Sequence, residues 1–165
     1  MPLAPLTLPD AEVSLDPQWL PADEADALFA ALRVTLPWQV HRVRLFGREY
    51  PAPRLSCWMG DAGASYRYSG VRHEPAPWPD ALAVLRERRE LGPAPVIASL
   101  SLGATRRFVL RDRPSGQKHA IELTHGSLLV MAGATQRRWQ HALPRTARQV
   151  GERINLTFRV VAPLR

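Results

Sequence analysis

Apolar and polar positions along this chain change their period several times, and each change predicts an element. Pro2, Pro5, Pro9 and Pro17 recur too often for a helix, so residues 1–20 are expected to form an extended arm. Asp23 then offers an N-cap, and Leu28, Phe29, Leu32 and Val34 form the apolar side of a helix that runs to about Thr35 before Pro37 stops it. In HRVRLFGREYPAPR, Val43 and Leu45 alternate with Arg42 and Arg44 before Phe46-Gly47, which predicts a hairpin with an apolar residue at its tip. GDAGASYRYSG reads as a glycine-punctuated loop leading into a short strand. A second helix is expected from about Pro79 to Arg88, with Leu82, Val84 and Leu85 as its apolar residues.

From Pro95 onward the rhythm is of closely spaced strands: VIASLSLG, RRFVLR, HAIELT, SLLVM and RINLTFRVV, broken by turns such as DRPSGQ and HG. That spacing leaves no room for crossover helices, so it predicts a sandwich or jelly roll with helices packed on an antiparallel sheet. There is no internal repeat, no long low-complexity segment and no sign of a second domain.

Composition narrows the function classes. The 165 residues suffice for one domain with a real core. No apolar run approaches the roughly 18 residues of a membrane span, and the N-terminal stretch lacks the flanks of a leader, so no membrane partner and a cytoplasmic location are expected. Cys57 is the single cysteine, which excludes an internal disulfide and any thiolate zinc site built from this chain alone. The net charge of +7 is carried almost wholly by arginine, Lys118 being the one lysine. Arginine offers a planar fork to phosphates, carboxylates and base edges, so the charge permits a nucleic-acid partner; a GC-rich gene would produce the same composition.

The last strand carries the clearest candidate chemistry. Arg153, Asn155, Thr157 and Arg159 fall on one face, and Ile154, Leu156, Phe158 and Val160 on the other. The polar face is either the solvent side of an edge strand or the inside of a barrel that holds a dicarboxylate. On a flat strand the two arginines would stand roughly 20 Å apart at about 3.3 Å per residue, so coiling and long side chains would have to bring them around one ligand. His141, in RRWQHALPR, lies where a strand ends in a proline-stopped loop.

In the order His141, Arg153, Asn155, Thr157, Arg159, and in the words VIASLSLGATRRFVLR, HGSLLVM, WQHALPR and RINLTFR, the chain resembles the AlkB-type 2-oxoglutarate/iron(II) dioxygenases. RVRLFG, Pro53-Arg54, GDAG, YRYSG and Trp78 extend the resemblance over about Pro21 to Val161, closest to the double-strand DNA repair branch. The resemblance implies a mainly β fold with flanking helices, a double-stranded β-helix (jelly roll) core over about 95–161, and base-recognition hairpins over about 40–70, within a single domain 21–165. It implies an enzyme that uses Fe(II) and 2-oxoglutarate to dealkylate bases such as 1-methyladenine and 3-methylcytosine, with nucleic acid, DNA above all, as partner, acting as a monomer. His141 would be an iron ligand, and Arg153, Asn155, Thr157 and Arg159 would hold 2-oxoglutarate. Tyr66, Arg67 and Tyr68 would border the flipped base, Phe46 would wedge into the duplex beside Gly47 and Arg48, and Arg54 would lie near base or backbone. Taken singly, Phe46 would more readily be an ordinary core aromatic, against which the Gly47 turn and the flanking Arg42, Arg44 and Arg48 count, and Tyr66 and Tyr68 would serve equally well as core-facing strand residues.

One family feature is absent. The facial iron site takes two histidines and a carboxylate, the latter pair as His-x-Asp. His41 is followed by Arg42-Val43, His73 by Glu74-Pro75, His119 by Ala120-Ile121 and His125 by Gly126-Ser127, so none supplies it. ALAVLRER reads as the family's second helix and RELGPAPVIASL as the stretch beyond the His-x-Asp strand, so roughly 30 residues with the missing iron ligands are lacking at about Arg88-Arg89. The jelly roll is thus expected to be incomplete near residues 88–89. A segment left out of this sequence, a true deletion, or a catalytically inactive nucleic-acid-binding module would each produce that seam. Omission is favoured, because loss of two core strands leaves hydrogen-bond ladders unpartnered.

Overall fold

The computed structural model describes residues 3–45, 47–61, 66–68, 71–73, 75–86 and 97–159. In chain order its elements are β1 (Ala4–Pro5), β2 (Glu12–Asp16), α1 (Ala22–Thr35), β3 (Gln39–Leu45), β4 (Arg48–Ser56), β5 (Tyr66–Tyr68), β6 (Val71–His73), α2 (Asp80–Arg86), β7 (Ile97–Gly103), β8 (Arg106–Asp112), β9 (Lys118–Leu123), β10 (Ser127–Ala132), α3 (Thr135–Arg138), β11 (Trp139–Ala142) and β12 (Arg153–Phe158). The chain divides into two compact units, Met1–Ala31 with Arg88–Val160, and Leu32–Glu87 with Val161–Arg165. The expected seam at Arg88–Arg89 lies outside the described residues.

The first unit is a sandwich of antiparallel sheets, as the strand rhythm predicts for a jelly roll. Its large sheet has the order β1-β2-β10-β7-β12 and its small sheet the order β11-β8-β9. The proline-punctuated arm is therefore sheet: Leu15 pairs with Leu129 and Val13 with Met131. EVSLD lies between the prolines and is free of their missing donors, which is why it can join the ladder. Val13, Leu129 and Met131 of the large sheet meet Phe108, Leu110, Ile121, Leu123 and Trp139 of the small one in a common core. Each such side chain contributes about 1.5–3 kcal/mol by leaving water.

The large sheet's other face is also buried, through Ala98, Leu100, Leu102, Leu128, Ile154 and Leu156. Helix α1 begins at Ala22, so Asp23 sits in its first turn with Glu24, where acidic side chains favour the helix dipole, and is not the cap residue the sequence suggested. Pro21 accepts the Ala25 N–H at the helix start, and Ala25 packs toward Gly126.

A charged latch fastens the arm. Arg138 donates from Nε to Asp112 at 2.8 Å and from Nη1 to Asp10. Trp139 Nε1 donates to the Pro9 carbonyl at 3.0 Å.

The second unit contains the β3-β4 hairpin, with Val43 opposite Tyr50 and Leu45 opposite Arg48, a register shift between Val40 and Arg42, and the β5-β6 hairpin. Helix α2 buries Leu82 and Leu85.

Candidate functional site

Strand β12 lies at the edge of the large sheet, paired to β7 with Arg153 opposite Gly103, Asn155 opposite Ser101 and Thr157 opposite Ser99. Directly opposed residues share a face, so the serines of SLSLG join the polar face of β12. That face turns toward the sandwich interior, because Ser99 is also opposite Leu129 of the core. The Arg153 Nη2 donates to Ser101 Oγ at 2.9 Å and to Asn155 Oδ1 at 2.7 Å. Ser99 Oγ donates to the same Asn155 oxygen at 3.1 Å, and Asn155 Nδ2 donates to Thr157 Oγ1 at 2.9 Å. A continuous polar strip thus links Arg153 to Thr157.

Across the sandwich, β11 forms the edge of the small sheet and places His141 opposite Leu110, on the same inward face. Its imidazole stacks on Phe108 with ring centroids 5.5 Å apart. By surface area His141 is exposed, yet Phe108 covers one side of the ring. Burial, with the positive charge of Arg159 second, lowers its pKa.

The short β7–β8 connection, Ala104-Thr105, starts β8 beside the Gly103–Arg153 end of the large sheet. Arg106 therefore enters on the inward face of β8, two residues before Phe108, and anchors through Nη2 to the Pro144 carbonyl at 2.9 Å. Arg153 is half-buried, and its Nε is buried without a hydrogen-bond partner. Burial, then repulsion from Arg106, pushes its pKa down to about 10. Among the described residues no carboxylate pairs with Arg106, Arg153 or Arg159.

This donor set suits an anion with two carboxylates. Arg153 and Arg106 stand at one end of the strip, Arg159 and His141 at the other, with hydroxyls and an amide between. Of the residues assigned to 2-oxoglutarate, Arg153, Asn155 and Thr157 share this face, and Arg159 follows the end of β12. Asn155, Thr157 and Arg159 are exposed, because neither β11 nor β12 has an outer neighbour among the described residues, so the strip opens to solvent on that flank.

Iron(II) does not fit the residues present. His141 offers one nitrogen, and among the described residues no group of three or more His, Cys, Asp or Glu could hold a metal ion.

The substrate-side candidates belong to the second unit. Gly47 turns the β3-β4 hairpin at φ +78°, with open space around it, and Arg48 and Arg54 are exposed. Arg42 is neutralised by Glu49 at 2.9 Å. Tyr66, Arg67 and Tyr68 form β5, opposite His73, Arg72 and Val71. Phe46 lies outside the described residues, as do the side chains of Tyr66, Arg67 and Tyr68.

Sequence reasoning missed Arg106, Ser99 and Ser101. The serines carried a signal: Ser99 and Ser101 alternate with Ala98, Leu100 and Leu102 as the polar positions of β12 alternate with its apolar ones.

The chain is similar to known proteins. Residues 86–159 match the family model described as the 2OG-Fe(II) oxygenase superfamily. The chain is 36% identical over 197 residues to "Alpha-ketoglutarate-dependent dioxygenase alkB homolog 3" of Rattus norvegicus, covering 93% of this chain and 65% of that protein. It is 33% identical over 194 residues to the Homo sapiens protein of the same name, covering 93% and 67%. It is 32% identical over 182 residues to "DNA oxidative demethylase ALKBH2" of Mus musculus, covering 85% and 76%. The chain therefore spans about two thirds of the length of the rat protein. Since 93% of 165 residues is about 153, about 44 of the 197 aligned positions have no residue of this chain. The same arithmetic on the mouse protein, about 140 residues against 182, leaves about 42. The total of such positions in both comparisons is of the order expected from the seam.

Proposed function

This chain belongs to the AlkB-like 2-oxoglutarate/iron(II) dioxygenases, and on that basis we propose that its function is the oxidative dealkylation of N-alkylated bases in nucleic acid, DNA above all. In the overall reaction a base N-methyl group, dioxygen and 2-oxoglutarate become the unmodified base, formaldehyde, succinate and carbon dioxide. The observation that carries the reading is the inward polar face Arg153, Asn155 and Thr157, followed directly by Arg159 and set across one sandwich from His141 within the stretch that matches the family.

The chain's own residues divide the work. Arg153 and Arg159 neutralise the carboxylates of 2-oxoglutarate through guanidinium forks, and Asn155 and Thr157 align it between them. The hairpin with Gly47, Arg48 and Arg54, and the strand of Tyr66, Arg67 and Tyr68, are the parts we assign to the nucleic acid. Iron, when held by a complete family site, supplies the oxygen activation; here only His141 remains of its ligands, so the dealkylation reading requires the missing segment.

The test compares the 165-residue chain with a version that carries, at Arg88–Arg89, a family segment of roughly 30 residues with its His-x-Asp pair. Both are given Fe(II), 2-oxoglutarate and an oligonucleotide containing 1-methyladenine or 3-methylcytosine. Methyl loss matched by succinate is expected from the restored chain and little or none from the short one. Absence of turnover by a folded, metal-loaded restored chain sinks the reading. Normal turnover by a mass-verified 165-residue chain would instead show that iron finds ligands beyond His141.

A further inference from the structure

The pocket keeps its cations although the residues present do not suit a metal. Arg106 and Arg153 lie on the inward faces of their strands, Arg159 follows the last residue of β12 and its charge is felt at His141, and no carboxylate among the described residues pairs with any of the three. Arg106 is placed there by chain geometry. The two-residue β7–β8 connection returns the chain beside Gly103, whose strand partner is Arg153, and the bond from Arg106 Nη2 to the Pro144 carbonyl fixes its guanidinium under the loop that follows β11. Two like charges brought together beside the orphaned Nε of Arg153 are unfavourable alone and favourable around an anion.

We infer that this polar strip holds a dicarboxylate without a metal, with Arg106 as a third cation beside Arg153, and without selecting the keto group of 2-oxoglutarate over a plain diacid. The inference rests on the proposed function only in taking 2-oxoglutarate as the natural ligand. A keto acid gains selectivity over a plain diacid when its carbonyl has a partner of its own. Among the described residues His141 is the one metal-ligating side chain at its end of the strip, so both carboxylates meet cations and the carbonyl meets no metal. Succinate and glutarate therefore fit the same cations as 2-oxoglutarate. A monocarboxylate such as acetate satisfies only one end.

Calorimetric titration of the 165-residue chain in EDTA tests this, with 2-oxoglutarate, succinate, glutarate and acetate as probes and the 2-oxoglutarate titration repeated with Mn(II) as a redox-inert stand-in for iron. The three diacids are expected to bind within about threefold of one another, acetate at least about tenfold more weakly, and Mn(II) to change nothing. Arg106→Gln should weaken each diacid about tenfold, and Arg106→Lys should recover part of the loss, since a point charge replaces a fork. The guanidinium NMR signals of the unsubstituted chain give a readout that needs no folded variant: the Arg106 Nε–H signal should move on succinate addition with the same saturation as that of Arg153. Mn(II)-dependent tightening of 2-oxoglutarate over succinate by more than about tenfold would overturn the metal-free reading. Unchanged diacid affinity in a folded Arg106→Gln chain, or an Arg106 signal blind to succinate, would remove Arg106 from the pocket. If no diacid binds, the inference fails, while the restored-chain turnover assay decides the dealkylation reading separately.

Discussion

At the scale of single residues, Arg153 shows most directly how stability is exchanged for binding. It is a partly desolvated cation whose Nε has no partner and whose neighbour Arg106 repels it. Arg153→Met should therefore abolish diacid binding yet raise the stability of the unliganded chain by about 1 kcal/mol. At this length that moves the melting midpoint up about 2–4 °C, which thermal denaturation without ligand would measure. A fall in the midpoint would mean that the bonds to Ser101 and Asn155 outweigh the repulsion. The opposite logic governs Asp112, which is buried and held below the usual carboxylate range first by the hydrogen bond from Arg138 and then by Ser115. A depressed carboxyl stabilises the fold fully above its ordinary value near 3.9 and loses that contribution as the pH falls through its folded value. Asp112→Asn is thus expected to melt lower at neutral pH and to lose less than the parent between about pH 5 and about pH 3. A parallel pH dependence of the two chains would count against the latch. Of these residues, Arg153, Asn155, Thr157, Arg159 and His141 were legible because one strand period and one word order carry them. Arg106 was not, since nothing in RRFVLR says which of its arginines meets Arg153 until the β7–β8 turn is known.

At the scale of elements, the strands after residue 95 were readable because their alternation is strong and their turns contain glycine. The N-terminal arm was only half readable. Its prolines do forbid a helix, but EVSLD pairs with β10 because a partner more than a hundred positions away supplies the ladder, and no local pattern reports that. The turn at Gly103 joins fold and site. Its φ of +83° is a left-handed conformation, and a Cβ there would lie 2.5 Å from the Glu152 carbonyl oxygen and 3.0 Å from the Phe29 ring. Gly103→Ala should cost about 2 kcal/mol or more and, by pushing back the residue before Arg153, should weaken succinate binding as well. Chemical denaturation and the same titration measure the two effects. A destabilised chain with unaltered affinity would show that the turn and the pocket are uncoupled.

At the scale of the whole molecule, the described fold is a jelly roll whose two site-bearing strands are both edges: β12 of the large sheet and β11 of the small one. Both are edges among the described residues, with one side of each backbone ladder unpaired. The alignments with relatives also hold about 40 positions that have no residue of this chain. The apolar core around Leu110, Leu123, Leu129 and Trp139 shares the interior with the polar strip, Leu129 lying opposite Ser99 and Leu110 opposite His141.

The pairing of β2 with β10 also sets a timetable. Leu15 must wait for Leu129, 114 positions later in the chain, before its ladder can form. At translation rates of about 5–20 residues per second that wait is roughly 6–23 s, during which EVSLD is an unpaired strand beside a nascent chain. Asp10 and Pro9 wait still longer, for Arg138 and Trp139 to close the latch behind them. The sandwich is thus sealed from the C-terminal side, and the amino-terminal segment, first to be synthesised, is among the last to find its place.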